Sequence, residues 1–316
     1  MSMDNLSSNV GNPEVDIPFI SVIVPFHNAA KHLEICISAL LSQSYPPSRY
    51  EIIMVDNNST DGSAEVVAKY SRIKLLTENK QGSYAARNRG VAESKGRIIA
   101  FTDSDCVPCP EWLDRISESI SLPGAGIVQG GRLYSTASAG MLLLEAYESE
   151  RAFHTFSGKF KGLYYGYTNN MAVRRDVFDR CGPFLEVMRG ADSIFVNRAI
   201  EDYSPEIIRY VPDAAIRHME ITGVQDYLRK RFIYGRSLQQ NYFIRKRTHR
   251  KMTISERYGI IRSTIERKRY TFFESAHLVL LVFTGIVFFM SGRLSVKLEK
   301  LCRTLTGPIR RRSERL

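Results

Sequence analysis

Cysteine is scarce and scattered. Five in 316 residues, at positions 36, 106, 109, 181 and 302, cannot supply the framework of a disulfide-stapled domain. The one CxxC spacing, Cys106-Val-Pro-Cys109, has no second pair to complete a four-ligand zinc site, and it follows two acids rather than opening a redox helix. No secretory signal is legible at the start, so a reducing, cytoplasmic-side location is expected. Glycine-rich phosphate loops are also missing: neither GxGxxG nor a Walker A run follows an apolar stretch. Any bound phosphate is therefore left to a metal or to basic side chains. Finally, the end of the chain is short of acid. From Arg229 to Leu316 there are 22 Lys/Arg and 5 Asp/Glu, against 22 and 28 before it, so the net charge of +11 hides a mildly acidic body and a strongly basic tail.

What is present is an alternation of short apolar runs and helical spacings. Residues 21–26, 51–56, 73–76 and 98–102 read as buried strands, with helices at 32–41, 63–70 and 83–92 between them. This β-α-β-α order predicts an α/β fold, a single domain whose mostly parallel central sheet is flanked by helices. Further helices are expected at 111–121, 140–151 and 174–180, and from Asp192 onward. Strands are expected at 126–130, 207–211 and 214–216. Residues 1–18, polar and aperiodic, read as a disordered leader. The organisation expected is a leader, a catalytic-type α/β domain at 19–222, and a helical basic extension at 223–316.

In open α/β sheets ligands bind outside the carboxyl ends of the strands. Three of those ends carry acids or amides here: His27-Asn28, Asp56-Asn57-Asn58, and Asp103-Ser104-Asp105. Asp103 and Asp105, two apart after an extended run, share a direction if that geometry persists. Like charges so placed call for a cation or hydrogen-bond donors between them, unless both are simply solvated in a loop.

Several segments, in order, carry a resemblance: SVIVPFHN at 21–28, EIIMVDNNSTDGS at 51–63, GSYAARNRGVAESKGRIIAFTDSDCVP at 82–108, YTNNMAVRRDVFDRCGPF at 167–184, and GADSIF at 190–195. The chain resembles a family 2 glycosyltransferase with the GT-A fold. The resemblance implies an inverting transferase that uses a nucleoside-diphosphate sugar and a divalent cation, Mn2+ or Mg2+. It makes Asp105 the main metal ligand, with Asp103 nearer the ribose or the outer shell of the metal. It assigns Asp56 to the nucleotide base, although Asn57 stands where many members have a second acid. Arg87 is placed to meet the sugar or a phosphate, or to pin its helix to the sheet. Asn170, within the aromatic and amide-rich run at 167–171, is assigned to the donor-sugar pocket, and that run could equally be core. Asp192 is the expected catalytic base, with helix capping as its other reading, and Ala191 leaves it without the usual acidic neighbour. His218 matches a position where some members add a histidine to the metal site.

The expected acceptor is a hydroxyl on a lipid-linked or cell-surface glycan. Transfer to a polyprenyl phosphate, which needs no base, is the alternative, as is a non-catalytic sugar-nucleotide-binding protein of the same fold. Residues 272–290 form an apolar run with basic residues on both sides. They are expected to lie on, or re-enter, an anionic membrane surface at the inner face of the cell membrane rather than to bind nucleic acid.

Overall fold

Strand β1 (Ile20–Phe26) sits at the middle of the computed structural model, which describes residues 17–136, 138–158, 160, 162–240, 250 and 252–313. The expected leader falls, up to residue 16, outside these. β1 pairs in parallel with β2 (Tyr50–Asp56) on one side and β4 (Ile98–Thr102) on the other, and β3 (Ile73–Thr77) pairs with β2. Beyond β4 the sheet continues through β7 (Asn170–Arg174), β6 (Ile127–Tyr134), β8 (Ile208–His218) and the short β5 (Cys106–Pro108), in the order β3-β2-β1-β4-β7-β6-β8-β5. Of these later pairings only β6 with β8 is parallel.

The period of two along each strand sorts the core onto two faces. Val22, Val24, Ile52 and Met54 face α1 (Ala30–Leu41), α2 (Ser63–Ala68) and α4 (Trp112–Ile120). Ile23, Ile53, Val55 and Phe101 face α3 (Ser83–Ala92), α6 (Arg175–Cys181) and α7 (Ala191–Asp202). Helix α1 shows why its sequence coils: Leu33, Cys36, Ile37 and Leu40, spaced three and four apart, form its buried stripe. Each aliphatic side chain so buried contributes about 1.5–3 kcal/mol. Helix α3 approaches β1 so closely that a Cβ on Gly90 would lie 2.5 Å from Ile23 Cγ2.

Two strands differ from expectation. Residues 207–211 and 214–216 are not separate: β8 runs through both, with a register shift where β6 passes from Gly130 to Arg132. Pro212, lacking an N–H, interrupts the ladder without ending the strand. The three-residue β5 was too short to show any periodicity, yet its pairing sets Cys106 opposite His218.

A third core joins α5 (Ala139–Phe156) to α8 (Val224–Gln240), α9 (Ile254–Lys268) and α10 (Phe272–Ser313). Of the basic helical extension, α8 is described over Val224–Gln240, and residues 241–249 and 251, with their basic side chains, lie outside the described residues. The apolar run at 272–290 does not stand alone as a helix. It begins one unbroken helix of 42 residues, of which Phe272–Cys302 is long and apolar enough to cross a membrane. Helices α8 and α10 almost touch backbones: a Cβ on Gly235 would lie 2.0 Å from the Phe289 carbonyl oxygen, and one on Gly292 2.1 Å from that of Phe232. Small residues permit that approach.

Candidate active site

The carboxyl ends of β1, β2 and β4 open on a cleft of about 940 Å³. Its rim is braced by the loops themselves. Asn28, in the left-handed region at φ 48°, accepts from the Thr60 amide through Oδ1 (2.8 Å), and its own amide donates to Ser59 Oγ (3.1 Å). Asn57 donates to the carbonyls of Glu78 and Lys80 (both 2.8 Å) and accepts from the Gly82 amide (2.7 Å). Gly82, at φ 140°, then starts α3, a conformation that L side chains rarely adopt. Asp56 ends β2 almost buried, and its Oδ1 accepts from the Ser59 amide (3.0 Å). It shapes this wall from behind, while Asn57 lines the cleft itself.

A second chamber of about 510 Å³ adjoins the first, and Ser83, Arg87, Asp103, Asp105, Arg189 and Lys230 line both. The chemistry concentrates on this seam. Arg87, almost fully buried on α3, donates through Nη2 to Asp103 Oδ1 and through Nη1 to the Ser83 carbonyl (3.3 Å). Arg87 thus pins its helix to the residue that follows β4, and it also lines both cavities. Asp103, still about one third exposed (33%), is oriented by a guanidinium.

Asp105 has a different neighbour. Its Oδ2 lies 3.5 Å from His218 Nδ1, brought there by the β5–β8 pairing. They do not hydrogen-bond, and His218 Nδ1 is buried with no hydrogen-bond partner among the described residues. Burial raises the Asp105 pKa, with Asp103 and Glu220 adding to the rise against His218 and Lys230. Burial likewise lowers that of His218, against the pull of Asp105, and favours the neutral imidazole that can ligate a metal. An orphaned imidazole nitrogen beside a half-buried carboxylate fits a divalent cation that takes oxygen and nitrogen ligands. Cys106 Sγ falls in the same cluster. Burial, and then Asp105 and Asp103, push its thiol well above the usual range, so it stays protonated and hydrogen-bonds Asp105 Oδ1 at 3.5 Å. Cys109 Sγ points elsewhere and donates to the Asp213 carbonyl at 3.5 Å.

Asp192 stands in the first turn of α7 and lines the second chamber. The helix is capped by Gly190 at φ 87°, not by Asp192, whose Oδ1 accepts from the Ser193 amide (2.7 Å). The expectation for Asn170 needs correction. It is 1% exposed, accepts from Trp112 Nε1 (2.8 Å) and donates to the carbonyls of Gly131 and Ala214 (2.6 and 2.8 Å). A side chain with all its polar atoms spent on fixing β6 and β8 has none left for a ligand; its neighbours Tyr167, Thr168 and Asn169 line the chamber instead.

Lys230 is a site residue that sequence reasoning missed. It lines both cavities from α8 and pairs with Glu220 at 3.0 Å. It sits in a basic run read as facing a membrane, and only its helical phase separates it from its neighbours.

The model of the family described as "Glycosyl transferase family 2" matches residues 21–182. Glycosyltransferase AglE of Haloferax volcanii is 38% identical over 191 residues, covering 58% of this chain and 62% of the relative. Glycosyltransferase GlyG of Streptococcus pneumoniae serotype 4 is 34% identical over 116 residues, 35% and 38% of the two chains. The chain thus spans less than two thirds of the length of these relatives. Among solved structures, the mannosyltransferase PcManGT from Pyrobaculum calidifontis, in complex with GDP-Man and Mn2+, superposes with a TM-score of 0.57 at 16% identity, covering 92% of this chain and 86% of that one. TarS 1-349 of S. aureus does so at 0.50, with 17% identity and coverage of 89% and 92%. The architecture is that of GT-A-type transferases.

Proposed function

Because the chain belongs to glycosyl transferase family 2, we propose that it moves a sugar from a nucleoside-diphosphate sugar to a hydroxyl acceptor, with inversion at the anomeric carbon. The observation that carries this reading is the seam between the two cavities, where Asp105 and the orphaned His218 nitrogen lie beside the Arg87–Asp103 pair. The cleft at the strand ends takes the nucleotide, with Asn57 and Asp56 shaping its wall. Asp103, aimed by Arg87, meets the ribose or the sugar. Asp105 and His218, with Asp103 beside them, would hold Mn2+ or Mg2+, which when bound would supply positive charge for the departing diphosphate. The complex of PcManGT with GDP-Man and Mn2+ supports both the donor class and the ion. Lys230 and Arg189 line the same cleft and add positive charge there.

Asp192 takes the proton of the acceptor hydroxyl as its oxygen bonds to the anomeric carbon and the bond to the diphosphate oxygen breaks. One base is enough, since attack and departure occupy opposite faces of the carbon. Helix α10 supports association with a membrane, and with it a lipid-linked or cell-surface acceptor.

A panel of nucleotide sugars, scored by thermal stabilisation and by release of nucleoside diphosphate with Mn2+ and with chelator, tests the reading. One donor should stabilise the protein and turn over only with metal. Stabilisation by no donor, or turnover indifferent to chelator, would contradict it.

A further inference from the structure

The second chamber holds more positive charge than sugar transfer to a neutral hydroxyl requires. Arg132 from β6, Arg151 from α5 and Arg231 from α8 all line it, together with the carboxylate of Glu148. The remaining acids of the chamber are engaged: Asp103 by Arg87, Asp105 opposite His218, Asp192 at the start of its helix. Glu148 pairs with Arg151 and accepts from Tyr227 Oη at 2.7 Å. Burial alone would raise its pKa, but Arg151, Arg231 and Arg132 together hold it below the usual carboxylate range. Arg151 pairs with this carboxylate directly, while Arg231 and Arg132 act on it only through the field.

Aromatic faces, rather than acids, carry the other two arginines. Arg132 lies over the Tyr167 ring at 4.0 Å and Arg231 over that of Phe289 at 5.4 Å, and neither has a salt bridge among the described residues. The Nε atoms of Arg151 and Arg231 are buried without hydrogen-bond partners, as is the Tyr165 hydroxyl in the same wall. Buried donors left unmade are costly, and cations stacked on rings keep their forks free for an oxyanion. On the side toward α10 the wall carries an apolar patch, Ile221, Leu238 and Phe289, among tyrosines, hydroxyls and amides. Phe289 belongs to α10, whose outer face carries a stripe of exposed side chains at Leu280, Phe283, Val287, Met290 and Leu294, spaced three or four apart.

We infer that this chamber binds the phosphate of a lipid-linked acceptor, gripped by Arg132, Arg151 and Arg231, with the hydrocarbon chain leaving past Leu238 and Phe289 toward α10. The inference rests on the proposed transferase reading and names its acceptor class. A carboxylate-bearing glycan would satisfy the arginines but leave the apolar patch idle. Two phosphate sources share the chemistry. A prenyl monophosphate would itself be the nucleophile, whereas a prenyl diphosphate-linked sugar would present a hydroxyl to Asp192.

Calorimetry on the full chain in detergent, with farnesyl phosphate, farnesol and inorganic phosphate, tests this. Farnesyl phosphate should bind, and the other two should bind at least about tenfold more weakly, since each lacks one half of the contact. Arg132→Met and Arg231→Met should each weaken farnesyl phosphate about tenfold or more, and Arg231→Lys, which keeps the charge, should recover part of the loss. Nucleotide-sugar binding by the same variants reports separately on the donor cleft and on folding. Farnesol binding as tightly as farnesyl phosphate, or arginine variants that bind it like wild type in a folded protein, would overturn the inference. Phosphate-dependent farnesyl binding in a protein that binds no nucleotide sugar would uphold it while removing the donor reading. Asp192→Asn separates the sources: transfer to a prenyl monophosphate survives it, and transfer to a prenyl diphosphate-linked sugar does not.

Discussion

The Asp105 carboxylate and the His218 imidazole face each other across 3.5 Å without hydrogen-bonding, one at the end of β4 and the other at the end of β8. A buried imidazole and a half-buried carboxylate in that relation are arranged for a third group. Removing either should therefore weaken cation binding first. His218→Ala is expected to lower Mn2+ affinity at least about tenfold, and Asp105→Ala to abolish saturable binding, measured as free Mn2+ by electron paramagnetic resonance. Equal affinity in all three proteins would show that the ion, if any, binds elsewhere.

Arg87 and Asp103 are expected to act as a unit. Arg87→Met leaves Asp103 without its orienting partner, so Arg87→Met, Asp103→Asn and the double variant should be strongly non-additive in kcat. The expected coupling is about 1 kcal/mol or more. Additive losses in the cycle would mean that each side chain meets the donor independently.

Glu148 gives the fold a pH dependence of definite sign. Its folded pKa lies below its ordinary 4.5, because Arg151, Arg231 and Arg132 outweigh the effect of burial. A group depressed in the folded state contributes stability that is full above its unfolded pKa and is lost as pH falls through the folded one. Urea unfolding should show Glu148→Gln less stable than wild type at pH 7, with the gap closing below about pH 4.5. A gap that is constant from pH 7 to pH 4 would show that the carboxylate is not held by the arginines.

On α10, Leu280, Phe283 and Val287 are 60%, 61% and 44% exposed and lie on one stripe. Replacing all three by Glu should leave the thermal transition within a few degrees of wild type, since exposed positions carry little of the stability. The same change should abolish co-sedimentation with vesicles of phosphatidylglycerol and phosphatidylcholine. Retained vesicle binding would move the membrane contact to another surface.

The sheet's first half was legible because its signals are local. The buried runs at residues 21–26, 51–56 and 98–102 and the stripe of α1 follow from periodicity alone, and they carry Asp56, Asp103 and Asp105 to the strand ends. The second half was not. β5 is three residues long, and its pairing with β8, which explains why His218 meets Asp105, spans more than a hundred residues. Asn170 was misread for a related reason: amides suit both ligands and buried carbonyls, and only the carbonyls of Gly131 and Ala214 decide the matter. Lys230 and Arg231 were hidden in a basic run whose inward face no composition reveals. The apolar segment at 272–290 is legible as a run, but its continuation into one long helix packed on α8 depends on Gly235 and Gly292, glycines that a sequence scan treats as helix breakers.

The measurement that bears most directly on the account is single-turnover transfer by Asp192→Asn, with donor binding followed in the same samples. Donor affinity should stay within about twofold of wild type while the transfer rate falls by a factor on the order of 100 or more, because the acceptor hydroxyl has lost its proton acceptor. Turnover equal to that of wild type would contradict Asp192 as the base and move the reaction to an acceptor that arrives already ionised.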